Sequence, residues 1–201
     1  MSWYRETFFP WVEARFSRSL GRYKQRLLGT CSGEVLEIGF GTGLSLPHYP
    51  ASVSRLSAIE PNPGMRKHAD LGSVSFDVRL EQGVAEALPF AEASFDNVVS
   101  LLTLCSVQDL QKTIQEIQRV LRPGGQFFFL EHTAQSRGVT LGLQRAIQPL
   151  WGKIACGCHI DRETVGSLKM AGFDLRQLES IGYSGFPNIL APLYLGIALR
   201  G

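Results

Sequence analysis

The chain has 201 residues and a mass of 22.2 kDa, which suits one ordinary domain with a full hydrophobic core. Hydrophobic residues make up 44% of it and charged residues 19%, which excludes disordered, collagenous and low-complexity proteins. A net charge of +2 argues against a dedicated nucleic-acid binder, and four cysteines are too few for a disulfide scaffold. Because no export signal is apparent, we expect a cytoplasmic protein with no nucleic-acid partner.

Residues 1–32 are predicted to form a helical segment that is distinct from the rest of the chain. Its first 28 residues carry an excess of four positive charges together with a dense set of aromatic side chains. Three interpretations remain open: a helix packed on the core, a lid over the active site, and an interfacial helix in peripheral contact with a membrane.

Residues 33–201 are predicted to form one α/β domain, because short apolar runs alternate with segments of helical period. The expected fold is a three-layer α/β/α sandwich whose seven-stranded sheet is mainly parallel and ends in an antiparallel carboxyl-terminal hairpin. The predicted strands are 34–38, 55–60, 75–80, 95–104, 126–131, 173–180 and 194–199. The predicted helices lie within 107–121, 141–154 and 162–170, and Pro123, Gly124 and Gly125 are predicted to stop the first of these and turn the chain.

The first predicted strand runs directly into a glycine-rich turn at Gly39, Gly41 and Gly43. Open α/β sheets bind nucleotide-like ligands at this position, so the turn predicts a cofactor site. A dinucleotide fingerprint needs a glycine where this chain has Leu44. Glu37, just before the turn, would repel a pyrophosphate and would suit an ammonium group. The pattern therefore argues against a nicotinamide-dependent oxidoreductase.

A second acid, Glu60, ends the next predicted strand and is followed by Pro61, Asn62 and Pro63. An acid at this position can accept hydrogen bonds from both hydroxyls of a ribose. Together, the turn and the acid predict a site for a nucleoside cofactor.

With these motifs on the chain, the sequence resembles the class I S-adenosylmethionine-dependent methyltransferases of the type 11 group. The resemblance rests on five blocks in order, at residues 37–43, 60–63, 83–90, 94–99 and 121–125. It implies a Rossmann-like sheet, S-adenosylmethionine as cofactor and S-adenosylhomocysteine as product. The implied cofactor-binding residues are Glu37, Gly39, Phe40, Gly41, Thr42, Gly43, Glu60, Pro61, Asn62, Val84, Ala85, Glu86 and Leu101.

Val84 departs from the pattern, because many relatives carry at this position an aspartate that accepts the adenine amine. Two interpretations of the nearby Glu86 stay open. Either its carboxylate replaces the missing acceptor, or it is an exposed acid at the start of a helix.

Shorter blocks are similar to the animal membrane-associated thiol S-methyltransferases. They lie at residues 8–10, 104–107, 131–132, 144–151 and 157–164, while the hydrophobic anchor expected of those proteins is not seen. This likeness implies a small apolar acceptor, with a thiol favoured. A lipid or quinone methyltransferase and a non-catalytic cofactor-binding module are the alternatives, and the oligomeric state is not predicted.

Methyl transfer mainly needs alignment of donor and acceptor, so the sequence predicts few catalytic groups. His132 is the expected base, and Cys105 is expected to line the pocket or to act as a nucleophile. The expected substrate contacts are Tyr4, Trp11, Ser106, Glu131, Trp151 and Arg162, with the apolar loop 186–195. The alternative for Arg162 is that it starts the helix that follows. The Cys156-Gly157-Cys158-His159 segment lacks zinc-site spacing, so no metal site is predicted, and the segment is expected to form part of the substrate-side cap.

Overall fold

Seven strands form one sheet in the part of the chain described by the computed structural model, which comprises residues 4, 8–72, 74–134, 138–181 and 192–201. The strands are β1 Gly33–Ile38, β2 Val53–Ile59, β3 Asp77–Glu81, β4 Phe95–Leu101, β5 Leu121–His132, β6 Asp174–Ile181 and β7 Leu193–Leu199. The α-helices are α1 Phe9–Ser19, α2 Gly21–Leu28, α3 Pro63–Lys67, α4 Leu110–Val120, α5 Val139–Ile154 and α6 Thr164–Met170.

The sheet has the strand order β3-β2-β1-β4-β5-β7-β6, so β1 and β4 are central and β3 and β6 are the edges. The first five strands pair in parallel, whereas β7 pairs antiparallel with both β5 and β6. The central strands are apolar on both faces, as a parallel sheet covered by helices requires. The predicted mainly parallel sheet with a carboxyl-terminal edge hairpin is therefore confirmed.

Helices cover both faces of the sheet and create two separate cores. On one face, Leu27 and Leu28 of α2 are buried with the side chains of β1 and β2. On the other face, Ile114 and Ile117 of α4 are buried against β4 and β5. Asp109 caps α4 by accepting the backbone N–H of Lys112 at 3.0 Å. The predicted three-layer architecture follows from these two buried faces.

Two predicted boundaries around the fourth strand were wrong. β4 ends at Leu101 because Leu102 adopts a positive φ of +61° and turns the chain away from the sheet. β5 begins at Leu121, directly after α4, so the Pro-Gly-Gly sequence lies within the strand. The register between β4 and β5 is irregular there, and Gly124 takes a φ of +74°. The sequence had indicated a turn where the structure has a bulge.

The amino-terminal segment packs partly on the domain and partly faces outward. Leu20 is fully buried in the core, whereas Trp11 on α1 is 62% exposed. The packing of α2 supports the core-helix interpretation for that helix. Residues 1–3, 5–7 and the part of the predicted pocket loop 186–195 up to residue 191 lie outside the described residues. Leu193 and Leu195 of that loop belong to β7 and are buried in the core. None of the described helices has the length and apolar composition needed to cross a membrane.

Candidate active site

A cavity of about 540 Å³ opens beyond the carboxyl ends of β1, β2 and β4. This is the edge at which open α/β sheets bind their ligands. One part of its lining consists of residues that the sequence assigned to the cofactor, namely Gly39, Gly41, Glu60, Pro61, Asn62, Val84, Ala85, Glu86 and Leu101. The predicted cofactor motifs therefore converge on one cavity although they are spread along the chain.

Glu60 is fixed at the end of β2 by two backbone groups. Its Oε2 accepts the N–H of Gly41 at 2.9 Å, and its Oε1 accepts the N–H of Asn62 at 2.8 Å. Burial raises the pKa of this carboxyl, and the two N–H donors oppose that effect. Each carboxylate oxygen can accept a second hydrogen bond. Glu60 thus fits the two hydroxyls of a ribose.

The glycines of the turn have different roles. Gly41 has a φ of +62°, and a Cβ there would have Glu13 as its nearest neighbour at 3.9 Å, so this backbone offers a ligand close approach. At Gly39 a Cβ would lie 2.0 Å from the hydroxyl of Thr103. Gly43 is buried, and a Cβ there would lie 2.5 Å from the Asp70 carbonyl. Gly43 shapes the turn from behind the cavity wall.

Glu37 is buried beneath the turn. Its Oε2 accepts hydrogen bonds from Ser45 Oγ and the Tyr49 hydroxyl, both at 2.8 Å, and burial raises its pKa to about 7. The buried Lys24, whose pKa is lowered by burial, donates to Ser17 and interacts with Glu37. Glu37, Lys24, Phe40 and Thr42 line a small cavity of about 20 Å³ that shares Gly39 and Gly41 with the large one. Glu37 therefore lies outside the lining of the large cavity, and its contact with an ammonium group stays a prediction.

The backbone at the start of α4 engages Glu86, whose role toward the adenine amine stays a prediction. Its Oε1 accepts the backbone N–H groups of Gln108 and Asp109, at 2.7 and 3.3 Å. Glu86 therefore holds the start of α4 while it also lines the cavity. Val84 lines the same region and is 47% exposed, so a side chain at this position can contact a ligand.

The other part of the cavity is lined mostly by small or apolar side chains, from Leu102, Thr103, Ser106, Val107, Ala155 and Cys156. Glu131 organises this loop from beneath, because its carboxylate accepts the N–H groups of Thr103 at 2.9 Å and Leu104 at 3.0 Å. Arg162 holds it from the other side by donating to the carbonyls of Leu104 at 2.7 Å and Val107 at 2.8 Å. Glu131 and Arg162 shape the wall of the cavity, and α6 begins only at Thr164.

The remaining predicted substrate and catalytic residues lie away from the cavity lining, apart from Ser106, which is part of it. The Tyr4 hydroxyl donates to the Ile154 carbonyl at 2.6 Å and so connects the amino-terminal segment to α5. Trp151 packs against a buried group that contains Cys105 and Cys158. Cys105 and His132 are both buried one layer behind the cavity.

Sequence reasoning missed several lining residues, including Glu13, Met65, Lys112 and Cys156. Glu13 is an acid within a basic segment, and that contrast was the available signal. Burial raises its pKa, and Lys24 opposes this effect. Cys156 was not singled out, although its segment, residues 156–159, is predicted to form part of the substrate-side cap.

The charge of the lining favours a cationic ligand. Four carboxyl groups and one lysine line the cavity, from Glu13, Glu60, Glu86, Asp109 and Lys112. S-adenosylmethionine carries a sulfonium and an ammonium group, so this charge pattern suits it. The ribose acceptor and the open backbone at Gly41 fit its other parts.

The fold and this site define the class of S-adenosylmethionine-dependent methyltransferases. Residues 36–129 match the type 11 family, which is described as a methyltransferase domain. The chain is 35% identical to the thiol S-methyltransferase TMT1B of Rattus norvegicus, over 87% of this chain and 78% of that protein. It is 30% identical to the thiol S-methyltransferase TMT1A of Homo sapiens, over 99% of this chain and 88% of that protein.

The chain therefore belongs to the type 11 family of methyltransferases, and S-adenosylmethionine is its cofactor. A solved S-adenosylmethionine-dependent methyltransferase from Mesorhizobium loti has the same fold. It superposes with a TM-score of 0.68 at 16% identity, over 90% of this chain and 98% of the other.

Proposed function

We propose that the protein methylates the sulfur of a small apolar thiol. The observation that carries this proposal is the hydrogen bonding of two acids in the cavity. Glu60 and Glu86 each accept hydrogen bonds from two backbone N–H groups, so both carboxylates are already committed to holding the walls of the cavity. Acceptors that are partly ionised at neutral pH need little help from a base, and a thiol with a pKa of about 8.5 is such an acceptor.

The acceptor lies against Leu102, Ser106, Val107 and Cys156 in this proposal. These side chains offer apolar contact and one hydroxyl, which suits a small hydrophobic molecule better than a polymer. The thiol S-methyltransferases that are 30 to 35% identical to this chain support the same acceptor class.

Bound S-adenosylmethionine supplies a methyl group on a positively charged sulfur. The acceptor thiolate forms a sulfur–carbon bond to that methyl group while the carbon–sulfonium bond breaks, and the thiol proton passes to solvent. Glu60 and the backbone at Gly41 fix the donor, and the loop from Leu102 to Ser106 orients the acceptor. Alignment of two bound reactants is the main contribution of the protein.

The roles of His132 and Cys105 in catalysis stay predictions. Both side chains are buried behind Ser106 and Cys156, which favours an indirect effect on the acceptor. Replacing His132 with alanine across a range of pH tests the base role. If His132 is a general base, the His132→Ala variant should lose most of its rate at low pH, where the acceptor thiol is protonated.

Transfer of a labelled methyl group to panels of small thiols, phenols and amines, and to lipid vesicles, tests the acceptor class. We expect turnover of thiols and a Cys156→Leu variant with at least a tenfold higher KM, because the added bulk enters the acceptor part of the cavity. Its affinity for S-adenosylhomocysteine should be unchanged. Lys153→Leu, which adds the same side chain at an exposed position of α5, is the matched control.

Turnover of phenols, amines or lipids with none of thiols would contradict the thiol assignment. Binding of S-adenosylhomocysteine without turnover of any acceptor would favour a non-catalytic module.

We further propose that the protein is cytoplasmic and touches a membrane surface through α1 and α5. Phe8 and Trp11 are exposed on the amino-terminal side, and Leu150 and Ile154 are exposed on α5. The hydrogen bond from the Tyr4 hydroxyl to the Ile154 carbonyl connects the two parts. Exposed arginines on α1 add attraction to anionic lipids. Vesicle flotation tests this, with weaker binding expected for Trp11→Ser and unchanged binding for Met170→Ser, whose methionine is exposed on α6. Equal flotation of the two variants would contradict the proposal.

A further inference from the structure

Three buried side chains that do not line the cavity, from Cys105, His132 and Cys158, lie close together. The sulfurs of Cys105 and Cys158 and a ring nitrogen of His132 all lie within 4.8 Å of one another. The Cys158 Sγ and the His132 Nδ1 are 3.5 Å apart. The three residues come from the loop after β4, the end of β5 and the connection between α5 and α6, so the fold alone brings them together.

We propose that Cys105, His132 and Cys158 form a binding site for a zinc ion. Two sulfurs and one imidazole nitrogen are ligands that zinc prefers over oxygen-seeking cations. Zinc–sulfur and zinc–nitrogen bonds of about 2.3 and 2.0 Å at a tetrahedral angle separate the two ligand atoms by about 3.5 Å. The separation of Cys158 and His132 matches that edge.

The two cysteines are close enough to share one ion, because their sulfurs lie within 4.8 Å of each other. The Cys105 thiol donates to the Leu102 carbonyl at 3.5 Å. Zinc binds cysteine as the thiolate, so binding of zinc by the pair should release protons.

The surrounding structure holds the three ligands in place without an ion. The backbone N–H of Cys105 donates to Glu131 at 3.3 Å, and its carbonyl accepts from the N–H of His159 at 2.7 Å. The carbonyl of His132 accepts from Thr164 Oγ1 at 3.1 Å. Such outer contacts orient the ligands of metal sites. A zinc ion would therefore enter a largely formed site.

The spacing of Cys156, Cys158 and His159 had argued against a metal site in this segment. The proposed site takes only Cys158 from it and draws the other ligands from distant parts of the sequence. His159 instead lies near Gln148, with His159 Nδ1 3.2 Å from Gln148 Nε2. Neighbours of the ligands, Ser106 and Cys156, line the acceptor part of the cavity. A bound ion would therefore stabilise the wall of the cavity that Ser106 and Cys156 form.

Zinc content tests the proposal without any measurement of methyl transfer. The full chain is reduced, stripped with a chelator and titrated with zinc against a chromophoric competitor, and bound metal is counted by mass spectrometry. We expect one zinc per chain, with proton release, and at least a hundredfold weaker binding in Cys105→Ser, Cys158→Ser and His132→Gln. Cys156→Ser and His159→Gln, which change neighbouring side chains outside the cluster, should bind as the unaltered chain does.

Cobalt substitution in the unaltered chain keeps the test decisive if the variants misfold. Thiolate-to-cobalt absorption with a tetrahedral visible spectrum is expected. A reduced chain that binds less than about one tenth of an equivalent of zinc would overturn the proposal. A Cys156→Ser variant that loses as much zinc as the ligand variants would also overturn it. The same holds for a Cys105–Cys158 disulfide that forms in air when the reduced chain does not bind zinc.

Discussion

Glu60 accepts the backbone N–H of Gly41 at 2.9 Å, so the acid that ends β2 also fixes the glycine turn that follows β1. In the proposed site, one side chain would therefore accept the ribose and also support the backbone that faces the donor. Mutation at Glu60 should affect the affinity for the cofactor through both roles.

Glu60→Gln should weaken S-adenosylhomocysteine binding by about tenfold to a hundredfold, since hydrogen bonds to a charged group contribute roughly 1.5–3 kcal/mol. Glutamine presents one oxygen and one NH₂ group, and it cannot accept from both Gly41 and Asn62. Isothermal calorimetry measures the change. Glu81→Gln, at an exposed position on β3, is the control that should bind normally. A Glu60→Gln protein that binds as tightly as the unaltered one would rule out the ribose assignment.

The buried Glu37 should make stability depend on pH. Its pKa is about 7 in the folded protein against 4.5 ordinarily, because burial disfavours the charged carboxylate. Because the folded state favours the protonated carboxyl, the contribution of Glu37 to stability is fully present below about pH 4.5. That contribution is lost as the pH rises through about 7. The difference corresponds to about 3 kcal/mol at most, at 1.36 kcal/mol per pKa unit.

Glu37→Gln keeps an oxygen for Ser45 and Tyr49 without titrating. Urea unfolding at about pH 5, 6.5 and 8 should therefore show a smaller fall in the free energy of unfolding for the variant than for the unaltered chain. Glu92→Gln, at an exposed position, should keep the full pH dependence. Identical curves for Glu37→Gln and the unaltered chain would show that Glu37 stays charged throughout.

Gly43→Ala should cost much more stability than Gly72→Ala. Both glycines have a positive φ, of +84° and +59°, so each substitution costs about 1–2 kcal/mol in the left-handed region. Only at Gly43 would the new Cβ also meet the Asp70 carbonyl, at 2.5 Å, whereas the space at Gly72 is open. We expect a loss of roughly 3 kcal/mol or more for Gly43→Ala by urea unfolding. Equal losses would show that the loop near Asp70 moves aside.

Val84→Asp should strengthen cofactor binding, because it restores an acceptor for the adenine amine at an exposed position of the cavity. A hydrogen bond contributes roughly 0.5–1.5 kcal/mol, or about a two- to tenfold lower Kd for S-adenosylhomocysteine. An analogue with a keto oxygen in place of the amine should gain nothing. Ala87→Asp, which adds the same carboxylate at the residue that bridges to Val84, controls for charge alone. If Val84→Asp increased the affinity for S-adenosylhomocysteine and for the keto analogue equally, the cause would be the added charge and not a hydrogen bond to the amine.

Much of the cofactor side could be predicted from the sequence because each of its motifs is local. The turn at Gly39 and Gly41 follows its strand directly, and Glu60 is the last acid before a proline-rich stop. Parallel strands bring their carboxyl ends to one edge, so local motifs combine into a site once the strand order is known. Both glycines and Glu60 line one cavity.

The acceptor side could not be predicted in the same way, because distant residues build it. Glu131 and Arg162 look like substrate contacts in the sequence, yet they support one loop from opposite sides. The turn at Leu102 has no glycine to mark it, since a leucine takes the positive φ. Cys105 and Cys158 meet only through the packing of α5 and the loop after it. Such contacts are set by tertiary structure and leave no periodic pattern.

The two outer strands of the sheet present charged side chains at their exposed positions. On β3 these are Asp77, Arg79 and Glu81, and on β6 they include Arg176 and Glu179. Strand edges with unpaired backbone groups recruit other chains unless charge or shape prevents it. Concentrated solutions of this protein should therefore resist ribbon-like stacking and amyloid growth at both ends of the sheet.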